Sequence, residues 1–233
     1  RIMRREIRLG ILAGMGPRST SPFIEMVLNE CQSQYNAKYD IDYPHIIVYS
    51  LPTPFFIDRE VDDIELSESI KKGIEHLAST GVDIIAIPCN SAHKYFNKII
   101  QNVNVPVLNI IEETIKIVPD NQKATILATE LTMNTNLYQA GLESNGIEYV
   151  FKEAWQITVN ELITEIKATG ASEKAFEIWN VLRDELLSED VQTIILACTD
   201  LSVVANESDD DFLIKDSSKE LARRLVEEYV KIK

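Results

Sequence analysis

Three cysteines, at positions 31, 89 and 198, are the residues whose reactivity depends most on placement, and two of them share a setting. Cys89 ends the apolar run of Val82-Asp83-Ile84-Ile85-Ala86-Ile87-Pro88-Cys89-Asn90-Ser91-Ala92-His93. Cys198 ends that of Val191-Gln192-Thr193-Ile194-Ile195-Leu196-Ala197-Cys198-Thr199-Asp200-Leu201. In both segments the thiol is followed by short polar residues able to hydrogen-bond backbone. A single such cysteine reads as a small buried apolar residue. A pair at matching positions permits proton-transfer chemistry, with a thiolate as base and a thiol as acid. Each would precede a helix start, where the helix dipole favours the thiolate. Cys31 lacks such a setting and reads as a structural residue on a helix face.

To bring the two thiols together the chain needs two similar units, and it carries the echo. The cysteines are 198 − 89 = 109 residues apart. Leu9-Gly10-Ile11-Leu12-Ala13 is answered by Ala124-Thr125-Ile126-Leu127-Ala128 at an offset of 126 − 11 = 115. Runs as apolar as 84–87 suit parallel strands covered on both faces, and ligands of open α/β sheets bind beyond the carboxyl ends of such strands. The expected fold is α/β: two Rossmann-like or flavodoxin-like lobes with mostly parallel sheets, related by a pseudo-twofold duplication, with the site in the cleft between them. The first lobe is expected to comprise residues 7–110 plus 212–233 and to carry Cys89. The second, 111–211, carries Cys198.

Along the first unit, strands are expected at Ile7–Ala13, His45–Leu51, Ile84–Ile87 and Val105–Ile110. Helices are expected after Ser19, over Ile64–Thr80 with a stop at Gly81, over Ala92–Gln101, and from Glu112. The second unit repeats the order with strands Ala124–Ala128, Glu148–Phe151 and Val191–Ala197. Between them lie a helix ending near Ser144, one carrying Lys167, and one over Ser172–Leu187. A final helix, Ser217–Val230, is expected to return to the first lobe. Gly14-Met15-Gly16-Pro17 suggests a dinucleotide loop, but the third glycine of that fingerprint would fall at Ser19, so the pattern fails. The better reading is that these glycines let backbone N–H groups approach a small anion.

Composition bounds the partners. With 45% hydrophobic and 26% charged residues the 233-residue chain is an ordinary globular protein. A formal net charge of −14 disfavours nucleic acid and anionic membrane surfaces as partners, without fixing the substrate's charge. No run approaches a membrane span, and the charged start, Arg1 to Arg8, is followed by no export cleavage pattern. An odd number of cysteines without a CxxC pair fits a reducing cytoplasm. His45, His76 and His93 show no metal spacing, so no metal is expected.

Gly14-Met15-Gly16-Pro17, Asp58-Arg59, Pro88-Cys89-Asn90-Ser91-Ala92-His93, Ile111-Glu112-Glu113-Thr114, Lys167 and Cys198-Thr199-Asp200-Leu201 together resemble the aspartate/glutamate racemase family. The resemblance runs in order along nearly the whole chain. Residues 40–45 (DIDYPH), 52–55 (PTPF) and 198–201 (CTDL) look closest to a bacterial branch with broader substrates, including basic amino acids. Departures are modest: Ala13 and Ala197 replace frequent glycines, Ser91 a threonine and Asp200 a common glutamate. The resemblance implies amino-acid racemisation without pyridoxal phosphate or any other cofactor, catalysed by Cys89 and Cys198, in a homodimer. It further implies substrate contacts from Met15, Arg59, Asn90, Ser91, Ala92, Thr129, Lys167 and Thr199, with auxiliary places for His93 and Asp200. Arg59 and Lys167 would hold the distal carboxylate of aspartate or glutamate, the favoured substrates.

The residues explain the pair independently. Inverting Cα requires proton removal from one face and delivery to the other, while backbone N–H groups with Asn90, Ser91 and Thr199 hold the α-carboxylate. His93 could tune Cys89 or pack at the helix start, and Arg59 could face the cleft or pair with Asp58 or Glu60. Rival readings are a decarboxylase or hydantoin-type isomerase, a non-catalytic amino-acid-binding protein, and, less favoured, a thiol hydrolase.

Overall fold

The computed structural model describes residues 5–205 and 209–233; the first four residues of the charged start lie outside it. The first unit runs β1 (Arg8–Ala13), α1 (Thr20–Tyr35), β2 (His45–Ser50), α2 (Asp63–Ser79), β3 (Ile84–Ala86), α3 (Phe96–Ile99) and α4 (Ile110–Ile115). The second runs β4 (Lys123–Leu127), α5 (Glu130–Asn134), α6 (Leu137–Ser144), β5 (Glu148–Tyr149), α7 (Glu153–Thr169), α8 (Glu173–Ser188), β6 (Thr193–Leu196), β7 (Leu213–Asp216) and α9 (Ser217–Ile232). The strands form two parallel sheets, in orders β2-β1-β3 and β5-β4-β6-β7. This is the doubled α/β architecture that the sequence echo requires.

The register makes the duplication quantitative. Ile11 pairs with Ala86 in the first sheet and Ile126 with Ile195 in the second. Applying the offset of 115 to Ile11 and of 109 to Ala86 converts one pair into the other. A parallel bridge between Ile85 and Val107 marks beside β3 the place that β7 takes beside β6. After each of these positions an Asx side chain caps a helix. Asn109 accepts from the N–H groups of Ile111 and Glu112, and Asp216 from those of Ser218 and Lys219.

Alternation along the strands divides the core into layers. Leu9, Ile11, Ala13, Ile84, Ala86, Ala124, Ile126, Ala128, Ile195 and Ala197 face one continuous inner core with α1, α4, α6 and α9. The opposite face of the first sheet packs Leu12, Ile85 and Ile87 on α2 through Leu66, Ile70, Ile74 and Leu77. The opposite face of the second packs Leu127, Ile194 and Leu196 on α7 and α8. The inner helices are exchanged: α9, from the end of the second unit, packs on α1 and α4, and α4, from the end of the first, packs on α6.

Four expectations change. The strand over Val105–Ile110 reduces to the bridge at Val107, because Asn109 already begins α4. The helix over Ala92–Gln101 is a 3₁₀ turn, Ser91–Tyr95, followed by the four residues of α3. Glu148–Phe151 contributes only two paired residues. Leu213–Asp216, assigned from sequence to the first lobe, is the edge strand of the second sheet. That segment is short and holds two charges, so it lacks the apolar run that marks a buried strand.

Candidate active site

The strands β3 and β6 stop three and two residues before their cysteines, and the same parallel direction brings both thiols to one cleft. Its walls include Cys89 with Asn90, Ser91 and Ala92 from the first unit, and Cys198 with Thr199 and Asp200 from the second. Met15, Thr129 and Lys167 line the same cleft. Lys167 arrives there because the stripe Trp155, Val159, Leu162, Ile163 and Ile166 buries α7 against the second sheet. Its last turn then carries the ammonium past the stripe toward the cysteines.

Short polar contacts tie the two units together around the thiols. Ser91 Oγ lies 2.7 Å from Thr129 Oγ1, and Thr199 donates to Ser19 Oγ at 3.1 Å. Asn90 donates to Ser217 Oγ at 3.0 Å and accepts from the hydroxyl of Tyr138. Its amide is thus largely spent on holding the cleft floor. The glycines also serve geometry. Gly14 has φ +89°, and a Cβ there would meet the Leu51 backbone at 2.5 Å. Its N–H is taken by Thr20 Oγ1 at 3.2 Å, so it is not held open for an anion. At Gly16 a Cβ would meet Lys167 Nζ at 2.6 Å.

Burial dominates the electrostatics. It pushes the Cys89 thiol up to about 11 and the Cys198 thiol to about 12. Asp200 adds to both shifts. Opposing them, Lys167 favours both thiolates, the N–H groups of Ala92 and Ser91 favour that of Cys89, and the N–H of Asp200 favours that of Cys198. The expectation that helix starts leave a thiol ionised in the free protein is therefore corrected. Single 3₁₀ turns follow the two cysteines, and their few aligned dipoles do not offset desolvation. Lys167 also loses solvation, yet its pair with Asp200, Nζ to Oδ2 at 2.8 Å, holds it charged, above its ordinary value.

Two expected site residues lie elsewhere. Arg59 is exposed, paired with Asp58 at 3.0 Å and stacked over the Phe56 ring at 4.9 Å. It lines a separate pocket with Glu60, Glu130 and Asn134, which meets the catalytic cleft only at Phe55 and Thr129. The neighbouring carboxylate is the nearer partner and wins the guanidinium. His93 is buried with both ring nitrogens occupied by backbone: Nδ1 lies 2.7 Å from the Cys89 carbonyl, and Nε2 accepts from the Ile110 N–H at 3.1 Å. Since Nε2 accepts, Nδ1 carries the proton and donates. Burial lowers this imidazole to about 4, so it is neutral and braces the Cys89 turn against the start of α4. Cys31 is buried on α1 in the inner core, as expected. Among the described residues no cluster of metal ligands occurs.

Thr53, Phe55, Leu66 and Ile70 also line the cleft and were not named as site residues from sequence; Gly16, singled out as a loop glycine, joins them. The signal for Leu66 and Ile70 was present: they lie at i and i+4 in the apolar stripe of α2, whose first turns face the sheet's carboxyl edge.

Two thiols at the carboxyl ends of duplicated parallel sheets, Cys198 buried and Cys89 partly so, form the arrangement that a two-base isomerase requires. The family model for Asp/Glu/hydantoin racemase matches residues 12–225, and the chain belongs to that family. It is 46% identical over 223 residues to the broad-specificity amino-acid racemase RacX of Bacillus subtilis, covering 95% of this chain and 98% of that protein. It is 31% identical over 159 residues to the glutamate racemase of Aquifex pyrophilus, covering 64% and 59% of the two chains. The solved aspartate racemase of Picrophilus torridus superposes with a TM-score of 0.81 at 25% identity, covering 95% of this chain and 94% of that one.

Proposed function

We propose that this protein is an amino-acid racemase in which Cys89 and Cys198 take and return the α-proton from opposite faces, without a cofactor. The observation that carries the reading is the convergence of both strand-end thiols on one cleft whose polar groups cross-link the two halves. Backbone N–H groups beside Ser91, Ala92 and Asp200 serve two ends at once, favouring a thiolate and stabilising the charge that develops on the α-carboxylate.

The side-chain range is broad in this reading. Arg59 is spent outside the cleft, Lys167 is neutralised by Asp200, and Met15, Phe55, Leu66, Ile70 and Ala92 offer apolar surface. The likeness to a broad-specificity relative supports it. The enzyme works in the reducing cytoplasm, a reading supported by three free cysteines, and as a homodimer, which the family resemblance implies. No helix among the described residues is long and apolar enough to cross a membrane.

Incubation in D₂O with each common amino acid, followed by α-proton exchange, tests the activity and the range together. Exchange is expected with several neutral or basic amino acids. Exchange confined to aspartate and glutamate would overturn the range, and exchange with none would overturn the activity. Sedimentation of the purified protein tests the dimer.

A further inference from the structure

Asp200 is 1% exposed and lines the cleft with both cysteines, yet only half of its carboxylate is satisfied. Oδ2 pairs with Lys167 Nζ at 2.8 Å, and Oδ1 has no hydrogen-bond partner among the described residues. A buried carboxylate oxygen without a donor is costly, so a site that retains one is built for a donor that arrives. Lys167 does not fill the place, since its ammonium is held by Oδ2 and sits over the Phe55 ring at 5.6 Å. Gly16 keeps the approach clear: a Cβ there would lie 3.3 Å from Oδ1 and 3.4 Å from Oδ2.

We propose that Oδ1 of Asp200 receives the substrate's α-ammonium, so that the site requires a free, charged α-amino group and rejects hydroxy acids and N-acylated or ring-closed analogues. The inference rests on the amino-acid racemase reading and narrows it, because the family's name includes hydantoins, which lack that group. It also gives the substrate a part in starting the reaction. The titratable and charged groups of the cleft are Cys89, Cys198, Lys167 and Asp200. Asp200 opposes ionisation of both thiols and Lys167 favours it. An ammonium seated on Oδ1 offsets the carboxylate's opposition, so the thiols ionise more readily with substrate bound than without.

The test is equilibrium binding, by calorimetry, of racemic amino acids and of their α-hydroxy-acid counterparts, such as alanine against lactate. Wild-type protein is expected to favour the ammonium member by roughly ten- to a hundredfold, the value of a charge-assisted hydrogen bond. Asp200→Asn should shrink that preference to within about threefold, whereas Lys167→Met, with Asp200 intact, should keep it. Equal binding of the two series by wild type, including no binding of either, overturns the proposal and gives Oδ1 to water. An equal loss of both ligands in Asp200→Asn overturns it too, assigning the carboxylate to architecture. Exchange of the α-proton in D₂O on the same samples separates the two readings. Ammonium preference without exchange sinks the racemase, and exchange without preference sinks the ammonium seat.

Discussion

In the proposed reaction Cys89 and Cys198 carry the chemistry, and their desolvation sets how it must run. With both thiols pushed above neutrality, the free enzyme holds them protonated, and catalysis must draw on a small thiolate fraction. Losing a proton activates the site, so kcat/KM should rise with pH, close to tenfold per unit between about pH 6 and 8. A flat profile over that interval would show that a thiolate already exists in the free enzyme. Cys89→Ser and Cys198→Ser should each abolish α-proton exchange while leaving the fold intact. Retention of more than about a tenth of wild-type kcat, a loss below about 1.4 kcal/mol, would remove that residue from the mechanism. Arg59→Leu should change kcat/KM by less than about twofold on every amino acid, because its guanidinium engages Asp58 and Phe56 outside the cleft. A tenfold loss confined to aspartate and glutamate would show that the side chain swings inward during turnover.

Cys89 is aimed by the element that follows it, and His93 is the clamp. Its ring joins the Cys89 carbonyl to the first N–H of α4 and stacks on Phe96 at 5.3 Å. The bond from the Ile110 N–H needs the neutral imidazole, whose Nε2 accepts it, and burial lowers the ring's pKa from 6.5 to about 4. Between those values the unfolded chain binds more protons than the folded one. The contribution is therefore fully present above about pH 6.5 and is lost as pH falls toward 4. The shift corresponds to on the order of 3 kcal/mol across that window. Thermal melts from pH 4 to 7 should show a shallower pH dependence for His93→Gln than for wild type. Parallel curves for the two proteins would mean that His93 does not titrate with unfolding.

The two units fold as one body because their inner helices are exchanged. One continuous core joins β1, β3, β4 and β6 to α1, α4, α6 and α9, leaving no surface along which the halves separate cleanly. Unfolding should be a single cooperative transition. Leu225 of α9 is fully buried in that core, and Leu225→Ala should cost about 2–5 kcal/mol. For a chain of this length the loss lowers Tm by roughly 5–15 °C. Calorimetry resolving two transitions, with only one moved by the substitution, would mean that the halves unfold independently.

Much of this molecule is written locally. Apolar runs ending at Cys89 and Cys198, and echoes offset by 115 and 109, follow from strand periodicity and duplication, which nearby residues encode; the register of Ile11 with Ala86 and of Ile126 with Ile195 matches them. Met15, Asn90, Ser91, Ala92, Thr129 and Thr199 reach the cleft because they sit at strand ends or loops whose direction the parallel sheets fix. Protonation states and pairings depend on residues far away along the chain. The thiols are raised because separate elements close over them and exclude water. His93 is neutral because elements distant in sequence bury it, and Ile110 supplies a donor to its ring. Lys167 is spent because Asp200, on another element, meets it across the cleft. Arg59 is the local exception: its partner Asp58 is the adjacent residue, a pairing that the sequence itself offers. Periodicity is a property of neighbours in sequence, whereas desolvation and charge pairing are properties of neighbours in space, and only the packed chain brings those together.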